Sequence, residues 1–180
     1  MITRKEFYFI RHGQTDHNLL ETKEKENHTE DVSLNATGRA QAHARASFVS
    51  SLPIQTICVS PFKRAQETKA IMAAGVNIPH YDVEDLGECT FQVWRAMSHH
   101  GMFKPLPPHG EARHFMERVK QGINQALSLP GPALIVAHGG VHWALCCLME
   151  LKEHFWAIEN CMPVHFSLDK DQNWMAKKLV

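Results

Sequence analysis

A histidine stands between an arginine and a glycine at the end of a short apolar run. Arg11, His12 and Gly13 directly follow residues 7–10, Phe-Tyr-Phe-Ile. Such a run is typical of a buried strand in a parallel sheet, and ligands bind beyond the carboxyl ends of these strands. A neutral imidazole is a nucleophile and a guanidinium fork binds phosphate. The tripeptide therefore indicates a phosphate site, with a packed histidine beside a surface arginine as the alternative. Gly13 is expected to allow a sharp exit from the strand.

Two further apolar runs end in residues of the same kind. Ser60 and Pro61 follow residues 57–59, and we expect them to be the N-cap and first residue of a helix that carries Arg64 in its first turn. His138-Gly139 follows residues 133–137. If the three strands are parallel neighbours, the amides of two helix N-termini face one crevice, where positive charge favours a phosphate dianion. The side chains expected there are Arg11, His12, Arg64 and His138.

Four segments of the chain match, in order, the motifs of one enzyme family. These motifs are Arg-His-Gly-Glu/Gln-Thr, Leu-Thr-x-x-Gly-x-x-Gln-Ala, Ser-Pro-x-x-Arg-Ala and a second histidine followed by glycines. The segments are residues 11–15, 34–42, 60–65 and 137–140, with Asn35 in place of the second motif's threonine. Both asparagine and threonine cap helices. The chain thus resembles the histidine phosphatase superfamily, which includes cofactor-dependent phosphoglycerate mutase and many small phosphatases.

The resemblance implies a fold and a set of site residues. It implies a three-layer α/β/α sandwich with a mostly parallel central sheet, and we expect residues 1–180 to form a single domain of this kind. His12 would be the nucleophile and Asn18 stands at the place of a phosphate-contacting asparagine. The expected phosphate-binding residues are Arg11, Asn18, Arg64, His138 and Gly139.

The general acid is expected in a segment that departs from the family pattern. The family's Leu-x-Glu-x-x-x-Gly-x-Trp-x-Gly corresponds to residues 86–94, which keep Glu88 but carry Gln92 where glycine is usual. Glu88 is the expected general acid and base, with Glu84 and Asp85 as competing carboxylates and a solvated acidic turn as the alternative. The missing glycines predict a different path for this loop.

These residues predict a phosphomonoesterase that hydrolyses a small phosphate ester through a phosphohistidine on His12. Repulsion by Arg11, Arg64 and His138 is expected to keep the His12 imidazole neutral. The alternatives are a phosphoglycerate mutase-type phosphotransferase and a noncatalytic protein that binds a phosphorylated ligand. Water is the expected acceptor, because the chain ends at Val180 without the mobile tail that the resemblance implies for mutases. The identity of the substrate stays open.

The elements that must position the site alternate between helix and strand types. Helices are predicted at residues 38–52, 60–74, 111–129 and 141–151, and residues 164–168 and 173–179 are predicted to form a hairpin at a sheet edge. Residues 20–31 form a mixed-charge stretch that is expected to be a solvated loop. By the resemblance, residues 99–110 cover the site and help to choose the substrate.

Composition excludes several classes of partner. The chain has nineteen basic and nineteen acidic side chains, which argues against binding nucleic acid or a membrane surface. A strand by Phe7 leaves no room for a signal peptide, and no apolar run is long enough to span a bilayer. The five cysteines lack a Cys-x-x-Cys pair and suit reduced thiols, with Cys146 and Cys147 on a buried helix. We expect a cytoplasmic protein with a small phosphorylated substrate, and a homodimer is left open.

Thirteen histidines raise the question of a metal site. His138 and His142 have the spacing of a zinc-binding His-x-x-x-His, but Gly139 occupies the position of that motif's catalytic glutamate. We therefore expect no metal and no cofactor.

Overall fold

Six strands form one sheet at the centre of the molecule. The computed structural model describes residues 1–20, 31–100, 109–151 and 158–179, without the side chains of residues 99 and 100. The strands are β1 (Phe7–Arg11), β2 (Thr56–Val59), β3 (His80–Asp82), β4 (Ala133–Ala137), β5 (Pro163–Leu168) and β6 (Trp174–Lys178). They are arranged in the order β3-β2-β4-β1-β5-β6. The expected parallel neighbours are confirmed, because β4 pairs in parallel with both β1 and β2.

The helices lie between these strands in sequence. They are α1 (Asp16–Leu19), α2 (Ala36–Ser51), α3 (Lys63–Met72), α4 (Phe91–His100), α5 (Glu111–Ser128) and α6 (Gly139–Leu148), with a short 3-10 helix at Glu84–Leu86. All four predicted helices are present. Of the ranges that the structure describes, none contains a helix with the length and apolar character needed to cross a membrane.

The start of α3 corrects one prediction. The helix begins at Lys63 rather than at Pro61, and Phe62 rather than Ser60 is its N-cap residue. The carboxylate of Asp31 accepts hydrogen bonds from the amide of Lys63 at 2.8 and 2.9 Å, which satisfies an amide at the free N-terminal end of α3. The hydroxyl of Ser60 is directed to a different partner, described below.

Side chains of alternating strand positions enter two separate cores. On β1, Phe7 and Phe9 pack with α5 and α6, whereas Tyr8 and Ile10 pack with α2 and α3. The alternation follows from the two-residue period of a strand, and it means that both faces of the sheet are covered. The molecule is therefore a three-layer α/β/α sandwich with a mixed, mostly parallel sheet, as expected.

The carboxyl-terminal part of the described chain forms the predicted hairpin. β5 pairs antiparallel with β1 on one side and with β6 on the other, and β6 forms one edge of the sheet. Cys146 and Cys147 are buried on α6, also as expected. Much of the mixed-charge loop at residues 20–31 and of the expected covering segment at residues 99–110 lies outside the described residues.

Candidate active site

The sheet itself fixes the backbone of the residues that end the three parallel strands. The amide of His12 donates to the carbonyl of Ala137 at 2.9 Å, and that of Ser60 donates to Val136 at 3.0 Å. His138 follows β4, which lies between β1 and β2. The residues just beyond the strand ends thus continue the hydrogen bonding of the sheet. His12, Ser60 and His138 therefore lie together at the carboxyl ends of β1, β2 and β4.

Gly13 is required by a close approach of two backbone segments. A Cβ on Gly13 would lie 2.5 Å from the carbonyl oxygen of Gly38, near the start of α2. The amide of Gly13 also donates to Thr68 Oγ1 at 2.9 Å. Positive φ occurs among the described glycines at Gly75 and Gly110 but not at Gly13, so its lack of a side chain serves packing rather than an unusual turn.

Two hydrogen bonds define the tautomer of His12. Its Nδ1 lies 2.7 Å from the carbonyl oxygen of Gly13, which only accepts, so Nδ1 carries the proton. The Nε of Arg64, which only donates, lies 3.3 Å from His12 Nε2. The lone pair therefore resides on Nε2, directed toward a guanidinium.

Burial lowers the pKa of His12 well below its usual value, and the charges of Arg64 and Arg11 lower it further. The side chain is 3% exposed. Repulsion by the two arginines was expected, but loss of solvation is the larger cause. The imidazole is consequently neutral near pH 7, which is the state that a nucleophile requires.

Arg11 and Arg64 bring two guanidinium groups to His12. Arg11 Nη1 donates to the carbonyl of Ile158 at 2.7 Å, while its buried Nε has no hydrogen-bond partner among the described residues. Arg64 also forms a 3.6 Å ion pair with Asp31. Burial lowers the pKa of both arginines, although the charge of Glu88 opposes this. The unpaired Nε leaves Arg11 a donor that a phosphoryl oxygen would satisfy.

His138 is wholly buried and is held by Ser60. Ser60 Oγ lies 2.7 Å from His138 Nε2 and also accepts, at 3.3 Å, from the amide of Phe62. When the Ser60 hydroxyl donates to Nε2, the proton of neutral His138 lies on Nδ1. This Nδ1 has no partner within the described ranges. Burial and the charge of His12 lower the pKa of His138 well below its usual value. In that tautomer the side chain presents an unsatisfied N–H close to His12, with 5.1 Å between the ring centroids.

The amide group of Asn18 is oriented by its neighbours. Its Oδ1 accepts from the amide of Thr15 at 2.9 Å and lies 3.5 Å from Asn160 Nδ2. Because the oxygen is engaged by these donors, the NH₂ group of Asn18 is the part left to bind an anion. Asn160 Nδ2 also donates to the carbonyl of His12 at 2.8 Å, which ties Asn18 to the nucleophile's backbone.

Glu88 reaches the same site from the loop after β3. Its Oε2 accepts from the amide of Gly140 at 3.1 Å and its Oε1 from the amide of Cys89 at 3.0 Å. A Cβ on Gly140 would overlap the Glu88 carboxylate, so glycine is needed there. Of the competing carboxylates, Glu84 is exposed and Asp85 packs against α5. Glu88 is the carboxylate of this loop that contacts the N-terminus of α6, which directly follows His138.

Two of the expected anion-binding amides are occupied by protein carboxylates. The amide of Gly140 binds Glu88 and that of Lys63 binds Asp31. Gly139 instead lies beneath Arg11, since a Cβ there would be 3.6 Å from Arg11 Nε. The parts of the chain that the structure describes contain no cluster of three potential metal ligands.

Sequence reasoning missed three contributors to this geometry. Ser60 was expected to cap a helix but orients His138, and neither Asn160 nor Asp31 was considered. Of these three residues, only Ser60 lies in a recognised motif, which could have drawn attention to its hydroxyl. Asn160 lies 148 residues from His12 along the chain, and no local pattern indicates that contact.

Comparison with known proteins identifies the family of this chain. The family model for the histidine phosphatase superfamily, branch 1, matches residues 7–178. An agropine synthesis reductase of Rhizobium rhizogenes is 32% identical over 90% of this chain, which spans 39% of that protein. The uncharacterized phosphatase PhoE of Bacillus subtilis is 32% identical over 76% of this chain and 72% of its own length. This chain therefore belongs to the histidine phosphatase superfamily.

A solved structure supports the fold over nearly the whole chain. A mycobacterial glucosyl-3-phosphoglycerate phosphatase in complex with VO₃ superposes with a TM-score of 0.65 at 20% identity, covering 98% of both chains. At that identity the match establishes the shared architecture alone.

Proposed function

We propose that this protein is a phosphomonoesterase that hydrolyses a small phosphate ester through a phosphohistidine on His12. The observation that carries the proposal is the neutral, buried imidazole whose Nε2 lone pair lies 3.3 Å from Arg64 Nε. When a phosphoryl group binds at this position, its oxygens replace His12 Nε2 as acceptors of the hydrogen bonds that Arg64 donates. Family membership and the phosphatases named among its relatives support the same reaction.

In the first step, His12 Nε2 attacks phosphorus and the bond from phosphorus to the ester oxygen breaks. The leaving oxygen takes a proton from Glu88. The Gly13 carbonyl stabilises the positive charge that develops on the imidazole, since it accepts from Nδ1 at 2.7 Å. In the second step, water gives a proton to the Glu88 carboxylate and attacks phosphorus, the phosphorus–nitrogen bond breaks and phosphate leaves.

The negative charge of the transferring phosphoryl group would be stabilised without a metal. Arg11 Nε, the NH₂ group of Asn18 and His138 Nδ1 are donors whose partners a phosphate would supply. Preorganised donors of this kind, buried from water, often account for the largest share of catalysis. Treatment with a chelator should therefore leave turnover unchanged, whereas activity restored by added zinc would contradict this part of the proposal.

The phosphoenzyme itself is the sharpest test. Brief reaction with a ³²P-labelled phosphate ester, followed by a denaturing quench, should yield protein-bound phosphate that is acid-labile, and a His12→Ala variant should not be labelled. His80→Ala, a change at an exposed strand position, provides the matched control. Turnover without label, or label retained in His12→Ala, would overturn the mechanism.

The fate of the isolated phosphoenzyme separates the alternatives. Rapid release of inorganic phosphate in buffer supports the phosphatase. A long-lived intermediate discharged onto phosphoglycerate would establish a phosphotransferase of the mutase type. Binding of phosphate esters without any label or turnover would establish a noncatalytic phosphate-binding protein.

A further inference from the structure

One arginine outside the site holds the loop that carries Glu88. Arg118, on α5, donates from Nη1 to the carbonyl of Asp85 at 3.2 Å. Its Nη2 donates to the carbonyls of Gly87 at 2.9 Å and of Glu88 at 3.3 Å. A single guanidinium thus binds three main-chain oxygens within four consecutive residues. These carbonyls would otherwise need partners of their own.

The loop lies directly against α5, with little space between the two segments. A Cβ on Gly87 would be 3.2 Å from Arg118 Nη1, and a Cβ on Gly122 would be 2.8 Å from the Cβ of Asp85. The guanidinium also lies over the ring of Phe115, 4.9 Å from its centroid. The side chain of Arg118 is therefore fixed on one face by an aromatic ring and at its tip by the loop.

The charge of Arg118 is not used in an ion pair within the described ranges, where its hydrogen bonds go to carbonyl oxygens alone. A planar fork with several donors can bind neighbouring carbonyls at once, whereas a lysine ammonium cannot reproduce that geometry. This loop also lacks the glycine that the family pattern has at position 92, and Gln92 lies within α4. The loop's position consequently depends on contacts with α5.

We propose that Arg118 is a positioning residue for the general acid, an inference that rests on the proposed function. The Glu88 carboxylate is held by the Gly140 amide, and the Glu88 main chain is held by Arg118. Without Arg118, the hydrogen bonds of the carboxylate to the Gly140 and Cys89 amides would be left to determine where the carboxyl proton lies relative to the leaving oxygen. A displacement of about 1 Å at a reacting group reduces rate by up to roughly a hundredfold.

The test uses two substrates that differ in how much they need a proton donor. Phenyl phosphate has a poor leaving group and p-nitrophenyl phosphate a good one. We expect Arg118→Met, which keeps an apolar stem on Phe115, to lower kcat for phenyl phosphate by about tenfold or more and for p-nitrophenyl phosphate by less than about threefold. In a Glu88→Gln background the same change should cause no further loss on phenyl phosphate, because the acid it positions is absent.

Controls separate positioning from general disruption. Arg113→Met, on the same helix, removes a surface partner of Glu117 and should preserve both activities. If Arg118→Met does not fold, Arg118→Lys gives the same comparison, since it keeps the cation and loses the fork. Equal losses on both substrates, or an additive loss in the Glu88→Gln background, would overturn the inference. Absence of turnover in the unaltered protein would instead overturn the proposed function.

Discussion

Two ends of the candidate site are held in different ways. The phosphate end, which comprises Arg11, His12, Arg64 and His138, is built on the carboxyl ends of three neighbouring strands and the helices that follow. The acid end, which comprises Glu88 and its loop at residues 84–90, belongs to no strand. It is held by Arg118, by the Gly140 amide and by Leu86, which is buried in the core that α5 and α6 share. The phosphate end therefore depends on sheet topology, and the acid end depends on one buried side chain and a few hydrogen bonds from distant residues.

This difference predicts distinct consequences of substitution. Changes at the phosphate end should affect every phosphate ester alike, because all substrates carry the same phosphoryl group. Changes at the acid end should affect esters according to their leaving groups. The two ends can thus be separated in one set of measurements.

The largest effect is expected from Arg64→Met. The change removes the donor to His12 Nε2 and one guanidinium from the transferring phosphoryl group, which should lower kcat/KM by about 10²- to 10³-fold on phenyl and p-nitrophenyl phosphate alike. Arg39→Met, which removes an exposed ion pair with Glu67, is the matched control. A loss confined to phenyl phosphate would place Arg64 at the acid end and break the comparison.

Glu88→Gln should show the opposite pattern. Glutamine keeps the size of the side chain but cannot donate the required proton, so turnover of phenyl phosphate should fall by about 10²-fold while that of p-nitrophenyl phosphate falls by less than about tenfold. Glu84→Gln, at an exposed carboxylate of the same loop, is the control. Equal losses on both substrates would move the proton donor away from Glu88.

The same contrast explains what could be predicted from sequence. His138 directly follows an apolar run and His12 follows another after Arg11. Parallel strands bring the ends of such runs together, so local patterns were sufficient to group the two histidines. The bond between Ser60 and His138 joins residues 78 positions apart. A serine before a proline favours a helix cap on local grounds, and only the folded sheet shows that its hydroxyl has a different partner. Tertiary contacts of this kind have no local signal.

The acid end was less predictable for the same physical reason. The family pattern indicated Glu88, but Gln92 in place of glycine left the loop's path open. Position 92 lies inside α4, where glycine would cost about 1 kcal/mol relative to alanine. The path of the loop is thus set by α4 on one side and by Arg118 on the other, and neither contact follows from the spacing of the motif.

Gly140→Ala should disturb the boundary between the two ends. The added methyl group would overlap the Glu88 carboxylate and come 2.8 Å from Cys89 Sγ, so the acid must shift while the backbone after His138 is retained. We expect a loss of roughly tenfold on phenyl phosphate and a smaller one on p-nitrophenyl phosphate. Gly139→Ala is the matched change one residue earlier, where the nearest atom would be 3.6 Å away, and it should cost less. A larger loss of activity from Gly139→Ala than from Gly140→Ala would contradict this expectation, because it would mean that contact with Arg11 matters more than contact with Glu88.

The smallest effect concerns stability, and it tests whether the phosphate end is as dry as its burial indicates. Burial lowers the pKa of both His12 and His138 well below the usual value of 6.5. As pH falls below about 6.5, these histidines bind protons in the unfolded chain before they do so in the folded protein. The free energy of unfolding should therefore decrease as pH falls through this range, until the lowered pKa values are reached.

Replacing one of these histidines should remove part of that decrease. Urea denaturation of the unaltered protein and of His12→Asn, each at pH 7 and pH 5.5, measures the effect. The loss of stability between the two pH values should be smaller in the variant by about 1 kcal/mol, because asparagine does not titrate. For each protein the free energy of unfolding at pH 5.5 is subtracted from that at pH 7, so a uniform change in stability caused by the substitution cancels.

Equal pH dependence in the two proteins would mean that His12 is protonated as readily in the folded protein as in the unfolded chain. The phosphate end would then be open to water, and burial would not be the cause of the neutral state of His12.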